Sequence, residues 1–309
     1  MIEVEALTKH FAVRRGRFRR ERFVVEAVKG ISFRVERGEL LGYLGPNGAG
    51  KSTTIKMLTG ILVPTSGRVS VAGLDPSRRR IELARRIGAM FGQRIQLWWD
   101  LPLKDSFELL RHIYKVPRDR FDANLNRFRE VLELDPFLQT PVRQLSLGQR
   151  IRGELTAAML HGPELLFLDE PTIGLDVVAK QRVRDFLVEI NREDGVTVML
   201  TTHDLGDIER LCNRLLVIDL GSVIWDGSIA DLKQRFGGDR TLVVDLEEPA
   251  PPLEVEGATV DRVEGPRQWL QFRGSAADIT ARVARAARLV DLQVQEPDIE
   301  EIVRRIYMR

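Results

Sequence analysis

Apolar positions along this chain follow two spacings. The runs ELLGYLG (39–45), LLFLD (165–169) and VTVMLTTH (196–203) are short and nearly continuous, the pattern of strands covered on both faces. Elsewhere apolar residues recur at helical spacing: Leu103, Phe107, Leu110 and Tyr114 share one helix face, and Phe128, Val131 and Leu132 continue the pattern. The alternation persists through about residue 236 and predicts an α/β domain over 1–236, with a parallel or mixed sheet flanked by helices. The block of about 94–162 reads as a helical subdomain inserted into it.

The pattern changes around Glu247-Glu248-Pro249-Ala250-Pro251-Pro252, where closely spaced prolines bar helix and strand interiors. TLVVDL (241–246) and RQWLQF (267–272) alternate like strands. Ile279, Val283, Ala286 and Val290 mark one helix stripe, and Ile299, Ile302, Val303 and Ile306 another. Residues 240–309 therefore read as a small C-terminal α+β domain, and the chain shows no repeat of solenoid period.

Composition narrows the function classes. The 309 residues carry 47 Lys and Arg against 45 Asp and Glu, a formal net charge of +2, and 43% are apolar. That balance excludes a disordered tail and supplies no global field for capturing nucleic acid, so any polyanion contact has to be local. The single cysteine, Cys212, cannot close an intrachain disulfide and fits a reducing compartment. Glu3 and Glu5 stand where a secretory signal would be basic and then apolar, and no run approaches the roughly 18 apolar residues of a membrane span. Any service to a membrane is expected from outside the lipid.

Gly45-Pro46-Asn47-Gly48-Ala49-Gly50-Lys51-Ser52 matches G-x-x-x-x-G-K-[ST] between a predicted strand and Thr54-Ile55-Lys56-Met57-Leu58, which reads as a helix, and Thr53 joins the expected nucleotide-binding residues. Glycines let the backbone curl so that successive N–H groups face phosphate oxygens, and the helix N-terminus adds partial positive charge there. Lys51 would neutralise β/γ-phosphate charge, and Ser52 would ligate Mg²⁺. Asp169 and Glu170 end an apolar run, where a parallel strand delivers them to the carboxyl edge of the sheet. Asp169 suits the Mg²⁺ shell; Glu170, one residue on, could polarise an attacking water.

Further short signatures follow in order: Gln93 after a strand in MFGQ (90–93), LSLGQ (145–149), Gly174-Leu175-Asp176, and Thr202-His203 at a strand end. Together with the loop and the carboxylates, their order and spacing resemble the ATP-binding subunit of an ATP-binding cassette (ABC) transporter, over roughly residues 1–236. The resemblance implies a P-loop NTPase fold, ATP as nucleotide, and Mg²⁺ held by Ser52, Asp169 and Gln93. It implies that Glu170, His203 and Gln93 serve hydrolysis. Ser146, Gly148 and Gln149 would contact the γ-phosphate held by a second subunit, in a homodimer or a dimer with a related subunit, and Asp176 would link the two sites. Leu147 stands where the family keeps glycine. The adenine would stack on Phe11, with Phe18 or Phe23 as substitutes.

Two segments keep two readings each. Arg14, Arg15, Arg17, Arg19, Arg20 and Arg22 form either a solvated loop or a basic finger for anionic headgroups or a membrane subunit; no nucleic-acid module is present. Trp98 and Trp99 either wedge the helical block against the sheet or line a groove for a partner's helix. The segment 91–114 resembles drug-exporter subunits, whose permeases are separate chains, which places the expected site of action at the cytoplasmic face of the membrane. The alternative is a soluble ABC ATPase that remodels a macromolecular complex; such relatives carry two cassettes or a long coiled coil.

Overall fold

The computed structural model describes residues 1–15, 21–92, 95–202, 204–236, 240–295 and 299–307. Gln93, His203, Arg17, Phe18, Arg19 and Arg20 lie outside the described residues, as do the side chains of Arg14, Arg15, Arg22 and Phe23. The chain divides into two units, Met1–Gly227 and Ser228–Arg309.

In chain order the first unit contains β1 (Ile2–Arg15), β2 (Glu21–Val35), β3 (Leu40–Leu44), α1 (Lys51–Leu58), β4 (Ser66–Val71), α2 (Arg80–Ala84) and β5 (Ile87–Phe91). There follow α3 (Leu103–Tyr114), α4 (Arg118–Val131), α5 (Leu147–Met159), β6 (Leu165–Asp169), α6 (Val177–Asp194), β7 (Thr197–Thr201), α7 (Leu205–Leu211), β8 (Arg214–Asp219) and β9 (Ser222–Ser228). The three runs read as buried strands are β3, β6 and β7, and β3 and β7 are buried at every position. They belong to a sheet of order β5-β6-β7-β3-β8-β9, in which β5–β6, β6–β7, β7–β3 and β3–β8 pair in parallel. Its register sets Phe91 opposite Asp169 and Asp169 opposite Thr201, so three strands end in one row at the carboxyl edge. A second, antiparallel sheet of order β2-β1-β4 is one that the sequence patterns did not announce. Its Ile2, Val4, Leu7 and Val28 share a core with Ile55, Met57 and Leu58 of α1 and Tyr43 and Phe167 of the parallel sheet. Burying each such side chain is worth about 1.5–3 kcal/mol, which fixes α1, and the loop before it, against two sheets.

Between β5 and β6, the predicted helix face appears on α3, where Leu103, Phe107 and Leu110 are buried, and α4 buries Phe121, Leu125 and Phe128. The second unit comprises α8 (Ile229–Phe236), β10 (Arg240–Leu246), β11 (Ala258–Glu264), β12 (Arg267–Phe272), α9 (Ala276–Ala286), β13 (Leu289–Gln295) and α10 (Ile299–Tyr307). The boundary expected at residue 236 falls at Gly227, because α8 packs against α10 and so joins the later unit. The helix stripe drawn through Val290 stops at Ala286: Ala287 is extended, and Val290 lies 70% exposed on β13, which pairs with β10. The proline-rich segment is tied down by Gln268, which is fully buried. Its amide donates to the carbonyls of Ala250 (3.1 Å) and Pro251 (2.9 Å) and accepts from Leu253 N–H (2.9 Å).

Two buried groups at α5 give the first unit opposing pH dependences. Burial pushes Glu154 up to about 7 and His161 down to about 4. His161 stacks on Tyr114 with ring centroids 4.1 Å apart and donates from Nε2 to the Ile87 carbonyl at 3.0 Å, which fits the neutral ring. A carboxyl raised by folding contributes stability below its unfolded value that is lost as pH rises to 7. An imidazole lowered by folding contributes stability above 6.5 that is lost as pH falls to 4. Each term is worth about 3 kcal/mol, at about 1.4 kcal/mol per pH unit. Relative to wild type, Glu154→Gln is therefore expected to gain about 3 kcal/mol above pH 7 and to lose that advantage by pH 4.5. His161→Gln is expected to show the mirror image. Urea unfolding across this range checks both, and parallel profiles for wild type and variants would contradict the assignment.

Candidate functional site

The phosphate loop leaves β3 where only a bare backbone fits. A Cβ at Gly45 would stand 2.4 Å from the Ile218 carbonyl, and one at Gly50, whose φ is +106°, would stand 2.5 Å from that of Ala27. Gly50 brings no side-chain cap to α1, and the first turn holds no acid, so the leading N–H groups and the helix dipole stay available to an anion. Lys51 is 8% exposed and folds its ammonium onto the carbonyls of Gly45 and Pro46, the latter at 3.2 Å. Burial lowers Lys51 below its ordinary value, while Asp169 and Glu170 pull it back up.

A cavity of about 330 Å³ opens above this loop, lined by Pro46, Asn47, Gly48, Gly50, Lys51, Ser52 and Thr53 together with Ala27, Gly92, Asp169 and Glu170. Asp169 accepts a hydrogen bond from the Thr201 hydroxyl at 2.5 Å, which orients its carboxylate from the neighbouring strand. Glu170 adopts φ +57°, a left-handed conformation costing a non-glycine residue about 1–3 kcal/mol, and is held there by its N–H bonding the Thr201 carbonyl at 2.9 Å. Ser52 and Asp169 thus offer hard oxygen donors to the same cavity as Lys51, a set that suits Mg²⁺ beside a polyphosphate.

The other sequence candidates sit elsewhere. Ser146 N-caps α5: its hydroxyl accepts from Gln149 N–H at 3.2 Å, and the Gln149 side chain accepts from Ser146 N–H at 2.9 Å. The helix starts at Leu147, where this reciprocal pair closes the first turn. Leu147 is accommodated by the bare Gly174, where a Cβ would stand 2.7 Å from its Cδ2. Asp176 N-caps α6, accepting from Ala179 N–H at 2.8 Å. Ser146, Gly148, Gln149 and Asp176 do not line the phosphate cavity, nor does Phe11, a half-buried residue on β1 with the Lys9 ammonium 5.2 Å from its ring centre. Gln93 and His203 fall outside the described residues. Thr202 accepts from Asp204 N–H at 3.0 Å, and Asp204, which caps α7, pairs with Lys180 at 2.6 Å.

Three contributors escaped the sequence reading. Thr201 stood inside a recognised strand, but its role depends on register with Asp169; Ala27 arrives from the unforeseen antiparallel sheet; Gly92 is placed by the end of β5. Thr172 and Arg184 both bond the fully buried Asp207, tying the segment after the carboxylates to α6 and α7.

A glycine loop between a strand and a helix, with acids at the end of another strand of the same parallel sheet, defines a P-loop nucleotide-binding ATPase. The sequence profile described as "ABC transporter" matches residues 28–173. The chain is 33% identical over 286 residues to the linearmycin resistance ATP-binding protein LnrL of Bacillus subtilis, covering 89% of this chain and 91% of that one. It is 37% identical over 241 residues to the daunorubicin resistance ATP-binding protein DrrA3 of Streptomyces coeruleorubidus, covering 76% of each. Among solved structures it resembles a dimeric ATP-binding cassette in a post-hydrolysis state bound to ADP and Pi, at TM-score 0.64 and 25% identity over 74% of this chain and 99% of that one. The chain belongs to the ATP-binding proteins of the ABC transporter family. It is an ATPase of that family, with the mixed α/β cassette fold.

Proposed function

We propose that this chain drives export across a membrane by separate permease subunits, through two copies that close head to tail around two ATP molecules. One observation carries the reading: the cavity holding Lys51, Ser52, Asp169 and Glu170 is lined by none of Ser146, Gly148, Gln149 and Asp176, although Ser146 stands at the N-terminus of α5, the end of a helix that favours an anion. Each half-site is then completed by the other copy. Lys51 and the loop N–H groups bind the phosphates, Ser146 and Gly148 of the second copy close over the γ-phosphate, and Phe11 stacks on the adenine. Mg²⁺ would be held by Ser52 and Asp169, with Gln93 as the further ligand, and would supply charge neutralisation of the transferring phosphoryl group. Glu170 accepts the proton of the attacking water, and His203 holds the γ-phosphate in line. Loss of γ-phosphate contacts then opens the dimer, so the work comes from differential affinity for ATP and its products.

The resistance proteins named above support an exporter role. For the permease contact, support comes from Trp98 (37% exposed) and Trp99 (48%), with Leu109 and Ile113 also exposed on α3. No helix among the described residues is long and apolar enough to cross a membrane, which suits a subunit held at the cytoplasmic face by its permease. The basic segment 14–22 is assigned to anionic headgroups there on its charge. The test is sedimentation of Glu170→Gln with and without Mg²⁺-ATP. The variant is expected to dimerise only with nucleotide, and adding Ser146→Arg is expected to abolish the dimer while leaving ATP affinity within about twofold. A monomer that stays monomeric with ATP bound would overturn the head-to-tail reading.

A further inference from the structure

One buried carboxylate takes no part in the chemistry above. Glu154, on α5 and 5% exposed, accepts the N–H of Gln96 with both oxygens (3.0 and 3.3 Å) and the N–H of Leu97 at 3.3 Å. The Gln96 side chain returns a bond to the Glu154 carbonyl at 3.2 Å. The next amide, Trp98 N–H, is taken by the hydroxyl of Ser106, fully buried on α3, at 3.2 Å. Successive backbone donors are thus captured by two buried side chains from two helices. The packing has the same grip: Gly153, beside Glu154, is bare because a Cβ would stand 2.8 Å from Leu103 and 3.2 Å from Leu97. Two more contacts extend the attachment past the captured amides. Trp99 accepts Arg143 N–H at its carbonyl (2.9 Å) and carries the Arg150 guanidinium 5.9 Å over its ring.

A loop that merely crossed the surface would bond water at these amides. Here each is withdrawn from water and matched to a side chain, an arrangement that lets the loop move only as its helices move. The same α5 begins at Ser146, eight positions before Glu154, and the same loop continues into the exposed Trp98 and Trp99. The geometry points to Glu154 and Ser106 as positioning residues: they clamp 96–98 to α5 and α3, so that movement of the Ser146 end of α5 is delivered rigidly to the Trp98–Trp99 surface. The inference rests on the proposed roles of Ser146 and of the tryptophan pair, and it assigns the transmission between them to a buried carboxylate.

Hydrogen exchange measured peptide by peptide on the full chain, in the Glu170→Gln background with and without Mg²⁺-ATP, tests it. Adding Glu154→Leu is expected to speed exchange at 96–98 about tenfold or more. It is also expected to erase the nucleotide-induced change at 98–101, although the protein still dimerises. Adding Glu154→Gln, whose amide oxygen still accepts both N–H groups, is expected to restore both properties. Ser106→Ala, which removes one bond and little volume, is expected to expose Trp98 N–H alone and serves if the leucine variant does not fold. Parental exchange at 96–98 in Glu154→Leu, or a nucleotide response there that persists in the dimer, overturns the clamp. A parent that does not dimerise with Mg²⁺-ATP would overturn the underlying dimer reading and the clamp together, so the two failures are distinct.

Discussion

Glu170→Gln is expected to lower the steady-state rate of ATP hydrolysis by about 10²–10⁴-fold, the range contributed by a positioned general base. ATP affinity is expected to remain within a few fold. The separation follows from geometry. Nucleotide affinity is assigned to the loop, to Lys51, the uncapped N-terminus of α1 and the backbone from Gly45 to Gly50, all of which the substitution leaves in place while removing only the modest pull of the Glu170 charge on Lys51. Glu170 lines the same cavity from a left-handed backbone position one residue beyond Asp169. Glutamine is nearly isosteric and can still hydrogen-bond a water but cannot take its proton. Single-turnover measurement with radiolabelled ATP separates binding from chemistry. If the variant turned over at the wild-type rate, Glu170 would be a wall residue, and the base would have to be sought elsewhere along the row Phe91, Asp169, Thr201.

The largest expected loss of stability comes from a residue that touches no nucleotide. Asp207 is fully buried and accepts from Arg184 Nε at 2.6 Å and from the Thr172 hydroxyl at 2.5 Å, while the Arg184 side chain is only 12% exposed. Asp207→Ala leaves that guanidinium buried with no counter-charge from α7, and breaking such a pair costs about 3–5 kcal/mol. Removing both partners is a smaller insult, because no uncompensated charge remains: Asp207→Leu combined with Arg184→Met is expected to recover most of the loss. Urea unfolding of the single and double variants checks the pair. A loss below about 1 kcal/mol for Asp207→Ala would mean that water reaches the site. The pair also has a functional consequence. Thr172 lies between Glu170 and Asp176, and α7 begins three residues after Thr202, so hydrolysis is expected to fall along with stability.

Much of the site was readable before the fold was known, because its chemistry is local. The phosphate loop needs small residues at fixed offsets between one strand and one helix, and the sequence from Leu40 to Leu58 contains all of them. Ser146 and Gln149 cap a helix through a pair three residues apart. The pair Asp169-Glu170 was legible as chemistry, but the left-handed backbone at Glu170 was not.

The misses share a physical origin. Val290 continues a helical spacing perfectly well, yet pairing of β13 with β10 outweighs a pattern that carries little energy by itself. Likewise α8 continues the first unit in sequence but packs on α10, more than sixty residues later. Ala27 reaches the cavity, and Thr201 the carboxylate of Asp169, only through sheet pairing, and no neighbour in sequence announces them.

By itself, then, the sequence determined what chemistry the chain carries: a polyphosphate cradle, two acids at a strand end and a side-chain-capped helix start, each specified by residues a few positions apart. The tertiary structure alone decided where those pieces stand relative to one another. It aligned Phe91, Asp169 and Thr201 in one row, kept Ser146 out of the cavity lining, and sealed Glu154 and Asp207 among partners from distant segments. Those outcomes depend on strand register and on burying charge, and both are settled only when segments far apart in the chain come into contact.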